Sequence, residues 1–256
     1  MVGCVVRHTH AMAYREIAPP AALASHVACL WWRDGVASRV LPDGCADLVW
    51  TGVDLVVAGP ATRPITPRVS PGDRKLGVRF RVGAAGAALG MPAAHLLDSS
   101  PPVNEIWADG DAVVERVAEA LDARARLGVL VEIVGERLLR APAPDPFVRA
   151  SVLELTHPGT RMARLAGRLG ISERQLRRRF QSAAGYPPRT LARVLRLQRF
   201  LSLAERDGRD LARLAADAGY ADQPHLTRDC TRLTGLPAAA LLATGAGPAG
   251  ERLMPI

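Results

Sequence analysis

Over roughly the first eighty residues the apolar positions come in short runs, Ala28–Trp32, Ala46–Val57 and Leu76–Val82. Turn formers such as Pro42-Asp43-Gly44 and Pro71-Gly72-Asp73 separate them, so they predict a small antiparallel β-structure. From Asp111 the period lengthens. Val113, Val117 and Leu121 stand four apart, and Leu127, Leu130, Val131, Val134 and Leu138 continue at helical spacing. That pattern predicts two amphipathic helices with a break near Gly128, packed on their own domain rather than forming a dimer seam. Residues 140–146, RAPAPDP, carry three prolines in seven positions, which forbids a continuous helix and marks a short stiff linker at 141–146. Beyond it the period is helical almost throughout, with helices expected near 147–155, 161–168, 173–184, 189–205, 209–217 and 223–233, and a short one after Pro237. The Gly/Pro-rich residues 244–256 read as a frayed tail.

Two stretches of this helical part repeat each other. LAGRLGISERQLRRRFQSAAGYPP runs from Leu165, and LAADAGYADQPHLTRDCTRLTGLP from Leu214. Leu165-Ala166 matches Leu214-Ala215 and Gly170 matches Gly219; after the turn Leu176 matches Leu226, Gly185 matches Gly235 and Pro187 matches Pro237. The offset is 49 residues before the turn and 50 after it. A short helix, a glycine-centred turn and a second helix with a polar front is the helix-turn-helix pattern, in which the second helix can enter a DNA major groove. Units are expected at 161–184 and 209–233.

A reading helix needs a capped N-terminus, an apolar rear and a polar front. Ser172 is placed to cap the first, with Leu176 and Phe180 turned back toward Leu165 and Leu169. Arg174, Gln175, Arg177, Arg178 and Gln181 are left on other faces. Asp222 is placed to cap the second, where Leu226 is the anchor and Pro224 falls in the tolerant first turn. Its polar candidates are Gln223, His225, Thr227, Arg228 and Arg232. Arginine can grip guanine bidentately and glutamine pairs with adenine, although half to two-thirds of such hydrogen bonds go to phosphate and sugar. Arg178 and Arg228 stand in equivalent places, where they can also pair with acids of the domain itself.

Charge sharpens this picture. The 256 residues carry a formal net charge of +8, of which residues 1–146 contribute −1 and residues 147–256 contribute +9. Lys75 is the sole lysine, so base composition accounts for arginine over lysine, but not for an excess confined to one half. A near-neutral half joined to a basic one is expected when one domain meets a polyanion.

Residues 147–243, about 40% of the chain, resemble the C-terminal domain of AraC/XylS-type bacterial transcription regulators, most closely over GYADQPHLTRDCTRLTGLP. That resemblance implies two helix-turn-helix units joined by one long helix, with the reading helices in successive major grooves on one face of DNA. It would assign DNA contact to Arg174, Arg177 and Arg178 in the first unit and to Gln223, His225, Thr227 and Arg228 in the second. Two positions depart from the family pattern. Cys230 stands where the family carries an aromatic residue, which is expected to loosen packing by ~1–3 kcal/mol unless neighbours fill the space. Pro224 stands where relatives carry a polar side chain that reaches DNA. The phrases YREIAPPAAL, LPDGCADLVW and LGVRFRVGAAGAALGMPAAHLLD resemble an uncharacterised sensor-like domain that precedes this module in many regulators. On that likeness Met12 is a candidate start, leaving residues 1–11 as an extension.

The expected architecture is therefore an α+β N-terminal domain, residues 12–140, for sensing or dimerisation, followed by an all-α double helix-turn-helix domain. Trp31, Trp32, Asp47 and Trp50 are the candidates for an effector pocket, with core packing as the plainer account of the tryptophans. Asp43 and Asp47 could form an acid pair, but turn chemistry already explains Asp43. Cys4, His8, His10, His26 and Cys29 invite comparison with the zinc site of Ada-type repair proteins, yet zinc sites show closely paired cysteines and these stand alone. No Pro-Cys-His-Arg run, phosphate loop or Ser/His/Asp grouping occurs, so no metal, cofactor or catalytic residue is expected. The apolar runs fall short of the ~18 residues of a membrane span. With no secretory leader pattern and four scattered cysteines, a cytoplasmic protein is expected. Double-stranded DNA is the expected partner, with a small-molecule effector, RNA polymerase and a second copy of the chain as further candidates. The rival reading is an enzyme or small-molecule-binding protein whose helical domain mediates protein contacts.

Overall fold

The computed structural model describes residues 14–34, 39–66, 74–157, 159–207 and 210–245. The expectations for Met12, the extension 1–11, Cys4, His8, His10, the Pro71-Gly72-Asp73 turn and nearly all of the tail lie outside them.

The N-terminal part is built on a five-stranded antiparallel sheet. Its strands are β1 (Tyr14–Ile17), β2 (Val27–Asp34), β3 (Ala46–Trp50), β4 (Leu55–Ala58) and β5 (Arg74–Phe80), in the spatial order β1-β2-β5-β3-β4. The run expected over Ala46–Val57 is two strands. Thr51 and Asp54 close a hairpin between them, the Thr51 N–H donating to the Asp54 carbonyl at 2.8 Å and the Asp54 N–H to Thr51 Oγ1 at 3.0 Å. Successive strand residues point to opposite faces. One face carries Leu30, Leu48, Trp50, Leu55, Val57, Leu76, Val78 and Phe80 into the main core. The other carries Cys29, Trp31 and Val49. Gly77 makes room there: a Cβ at this position would lie 2.5 Å from the Leu48 carbonyl oxygen and 3.0 Å from the Trp31 ring.

Helices α1 (Ala85–Leu89), α2 (Gly110–Ala118) and α3 (Ala123–Leu138) belong to the main-core face. Val113, Val117, Leu127, Leu130, Ile133 and Val134 are buried in one core with the strand residues, which is the intradomain packing expected. The break between α2 and α3 is not at Gly128. It falls at 119–122, where the Asp122 carboxylate caps α3 by accepting from the Ala125 N–H at 2.8 Å, and Gly128 lies inside α3. Leu121, expected to continue the apolar stripe, sits in the connection and is 97% exposed. Cap chemistry overrode helix propensity, since one interior glycine costs only about 1 kcal/mol.

The rest is helical: α4 (Pro146–Leu155), α5 (Met162–Arg168), α6 (Glu173–Ala184), α7 (Pro188–Asp207), α8 (Leu211–Ala218), α9 (Gln223–Thr234) and α10 (Ala238–Ala243). Pro146 opens α4 at its first turn and Asp145 caps it, accepting from the Phe147 N–H at 2.8 Å. Helix α7 serves two cores. Leu191 and Leu195 pack with Val148, Val152, Phe180 and Tyr186. Val194, Leu197, Phe200 and Leu201 pack with Leu214, Leu226, Cys230 and Leu233. Leu41, from the N-terminal part, is buried in this second core at 4% exposure.

A Cβ on Gly128 would meet no atom within 4 Å. Gly128→Ala should therefore raise the stability of the N-terminal part by about 0.5–1 kcal/mol. Thermal and denaturant unfolding check this; a destabilised variant would contradict the assignment of this residue to an unhindered helix interior.

Candidate nucleic-acid interface

The first helix-turn-helix pair is α5 and α6. Ser172 and Gln175 form a capping box at the start of α6, the Gln175 N–H donating to Ser172 Oγ at 3.2 Å and the Ser172 N–H to Gln175 Oε1 at 2.9 Å. Leu176 packs with Leu165 and Leu169, as expected. Phe180 does not. It points into the core shared by α4 and α7, because a residue four positions on has moved one turn toward the helix end those helices cover. Arg174, Arg177, Arg178 and Gln181 are all exposed. The three arginines have no carboxylate partner among the described residues. The capping box already engages the Gln175 side chain, which leaves the arginines and Gln181 as the free polar front of α6.

The second pair is α8 and α9. Asp210 caps α8 through the Ala212 and Arg213 N–H groups at 3.0 and 3.2 Å, and Asp222 caps α9 through the His225 N–H at 2.6 Å. Gln223, Arg228 and Arg232 are exposed and Thr227 is half-buried. His225 turns inward. Its Nε2 lies 3.7 Å from Asp229 Oδ2 and its ring meets Tyr220 edge-on at 5.2 Å between centroids. Cys230 is fully buried among Leu201, Leu214 and Leu226, and burial pushes its thiol up to about 12.

Sequence reasoning missed how the two reading helices are docked. Arg179 of α6 pairs with Asp145 at 3.2 Å and lies over the Phe147 ring at 4.6 Å, tying the helix to the start of α4. The equivalent position in α9 is Asp229, which is buried and faces Arg196 and Arg193 of α7 at 3.3 and 3.8 Å. The offset of 50 sets Arg179 against Asp229, so this inversion of charge within the repeat was the available signal.

The four residues expected to line one effector pocket do not share a face. Trp31 and Asp47 lie on the sheet face away from the helices, the Trp31 Nε1–H donating to Asp47 Oδ1 at 2.7 Å. Trp50 lies in the main core and Trp32 packs against it. Strand parity forbids the common pocket: neighbouring residues 31 and 32 must point to opposite faces. What gathers around Asp47 is a buried charge cluster centred on Arg79. Its Nε donates to Asp47 at 3.0 Å, and its guanidinium lies 3.5 Å from Asp43 and 3.7 Å from Glu16. Burial works against the Arg79 charge, but the Asp47 and Asp43 carboxylates outweigh it and hold its pKa well above the ordinary arginine value. Asp43 and Asp47 are thus structural partners of one arginine. Separately, a cleft of about 190 Å³ opens between the end of β5 and α4, with Ala28, Cys45, Val82, Ala84, Val148 and Val152 in its lining. Among the described residues no cluster of three or more metal-ligating side chains occurs, and no helix is long and apolar enough to cross a membrane.

Residues 165–244 match a family model described as a helix-turn-helix domain. The C-terminal part of this chain thus carries a helix-turn-helix domain, to which the helix pairs α5–α6 and α8–α9 belong. Residues 15–102 match a family described as a domain of unknown function, DUF6597. No curated protein matches the chain. Among solved structures it is similar to ToxT from Vibrio cholerae O395, at 12% identity and a TM-score of 0.42, over 84% of this chain and 95% of that one. A second crystal form of ToxT gives 12% identity and a TM-score of 0.45 over 90% and 98% of the two chains. ToxT of strain SCE256, bound to an unsaturated fatty acid, gives 11% and 0.42 over 95% and 99%.

In the second unit the Asp229 carboxylate holds two arginines of α7. Asp229→Ala leaves Arg193 and Arg196 without their carboxylate and should lower stability by about 2 kcal/mol, read from the denaturant midpoint. A shift near zero would show that the pairs contribute nothing. Cys29, Cys45 and Cys230 are all buried, and should resist maleimide labelling at pH 7.5 until the protein is unfolded. Fast labelling of Cys230 in the native protein would contradict the close packing of α9.

Proposed function

We propose that the chain is a transcription regulator that binds duplex DNA in a sequence-specific manner through both helix-turn-helix units. In this reading residues 12–140 sense or self-associate, 141–146 link, and 147–243 read DNA through units at 161–184 and 209–233. The observation that carries it is the pair of exposed arginine-bearing fronts on α6 and α9, each backed by apolar anchors and both held by one continuous helix. Helix α7 has 20 residues, hence a length of about 30 Å. That is close to the ~34–36 Å helical repeat that separates successive major-groove segments on one face of DNA.

The two units carry different loads. Arg174, Arg177, Arg178 and Gln181 form the stronger reading surface. Gln223, Thr227, Arg228 and Arg232 form the second, and His225, drawn toward Asp229, supports that helix from behind. Ser172 and Gln175 act through the cap that fixes the α6 N-terminus. Control by a small effector or by self-association acts through residues 12–140. The cleft beside α4, lined from both parts of the chain, is where an effector would touch sensor and reader together.

Arg177→Ala and Arg178→Ala should each weaken binding to a DNA fragment selected from the source genome by ~1–3 kcal/mol, if either grips a base bidentately. Gel-shift titration measures this, and unchanged affinity in both variants removes the front of α6 from base reading. Binding should also fall steeply as salt rises, because phosphate contacts release counterions. A flat salt response argues for a non-nucleic-acid partner and for the enzyme or protein-contact reading.

A further inference from the structure

The helix-turn-helix domain does not close its core alone. Residues 39–45 of the N-terminal part form a strap that lies along α7. Leu41, at 4% exposure, sits in the core with Val194, Leu197, Phe200 and Leu201 of α7 and with Leu226 and Cys230 of α9. The next residue accepts a hydrogen bond from the same helix, the buried Gln198 Nε2 donating to the Pro42 carbonyl at 2.6 Å. Two residues on, Gly44 takes a φ of +90°, and a Cβ there would lie 2.8 Å from Leu191 Cδ1 and 3.2 Å from the Tyr186 hydroxyl. Three strap residues, Leu41, Pro42 and Gly44, thus engage α7 from Leu191, which serves the first unit's core, to Leu201, which serves the second.

The strap is equally firmly held on its other side. Val40 and Ile65 exchange backbone hydrogen bonds at 2.8 and 2.9 Å. Asp43 accepts from the Cys45 N–H at 2.9 Å and pairs with the buried Arg79 at 3.5 Å. Arg79 in turn binds Asp47 of β3 and faces Glu16 of β1. A continuous set of contacts therefore runs from three strands of the sheet, through Arg79 and Asp43, to the helix that joins the two reading units. Buried groups in such a chain have few alternative arrangements, because close-packed interiors transmit displacement rather than absorb it.

We propose that Leu41, Asp43 and Gln198 are positioning residues for DNA recognition: the strap fixes α7, and so sets from the sheet the spacing and rotation at which the two units meet the duplex. The proposal rests on DNA reading by α6 and α9 and extends it by naming residues of the strap and of α7, outside both of those helices, that determine which operator spacing is accepted. A purely structural strap would stabilise the protein while leaving the preferred spacing untouched.

The test uses the full chain and a genomic fragment it binds, remade with one or two base pairs inserted or removed between the segments contacted by the two units. Each inserted base pair rotates one segment against the other by about 35°. The native protein should lose about tenfold in affinity per step, as expected when one unit's contacts are misaligned. Leu41→Ala and the milder Asp43→Asn should flatten this profile to within about threefold across spacings. An unchanged profile, or a loss of affinity by the same factor at every spacing, overturns the proposal. Hydrogen exchange without DNA provides the separate arm: both variants should speed exchange of α7 amides between Leu191 and Leu201. If the native protein binds no fragment, the DNA-reading proposal fails, and unaltered α7 exchange then overturns the strap independently.

Discussion

Helix α7 must satisfy two cores at once, and the arrangement of the C-terminal half follows from that requirement. Leu191 and Leu195 serve one side, while Val194, Leu197 and Leu201 serve another at i, i+3 and i+7. A helix apolar on two stripes cannot stand free in water, so each stripe recruits a helix-turn-helix unit. The units are consequently fixed to one rigid element rather than strung on a loop. Their outward faces, with nothing further to bury, are free to be polar. The exposed arginines of α6 and α9 stand opposite the buried side, where Leu176 is committed to α5 and Phe180 and Leu226 to the cores shared with α7.

Ion pairs then orient what burial holds. In the first unit Arg179 reaches Asp145 and Phe147 at the start of α4; in the second, Asp229 draws in Arg193, Arg196 and His225. The same repeat position thus uses opposite charges on opposite supports. The two units share one frame and differ in how each is fastened to its own surroundings. Gln175 and His225 hold equivalent places, and each is engaged within its own unit, Gln175 in the α6 cap and His225 beside Asp229, which leaves the exposed arginines as the outward polar groups common to both helices.

Local chemistry was legible in the sequence, and long-range pairing was not. Ser172 and Asp222 as caps and Leu176 and Leu226 as anchors all follow from spacing within one or two turns. The break after α2 falls at Asp122 and not at Gly128, because a capping carboxylate sets a helix boundary that a single interior glycine does not. The effector pocket was misassembled for a different reason. Trp31 and Trp32 are adjacent, so any strand through them sends the rings to opposite faces. Since Ala28–Trp32 already reads as a β run, strand parity separates the two rings at the level of sequence. The Arg79 cluster joins residues 16, 43, 47 and 79, and no local pattern relates positions brought together by sheet register. The insertion of Leu41 into the α7 core is hidden in the same way, since its sequence neighbours read only as a turn.

In the proposed reading two units, held at a separation set by α7, meet one face of one duplex. Hydroxyl-radical footprinting of the full chain on a bound genomic fragment tests it most directly. The account predicts two protected patches on the same face of the DNA, centred about one helical turn, ~10 base pairs, apart. A single patch, or two patches on opposite faces, would contradict it.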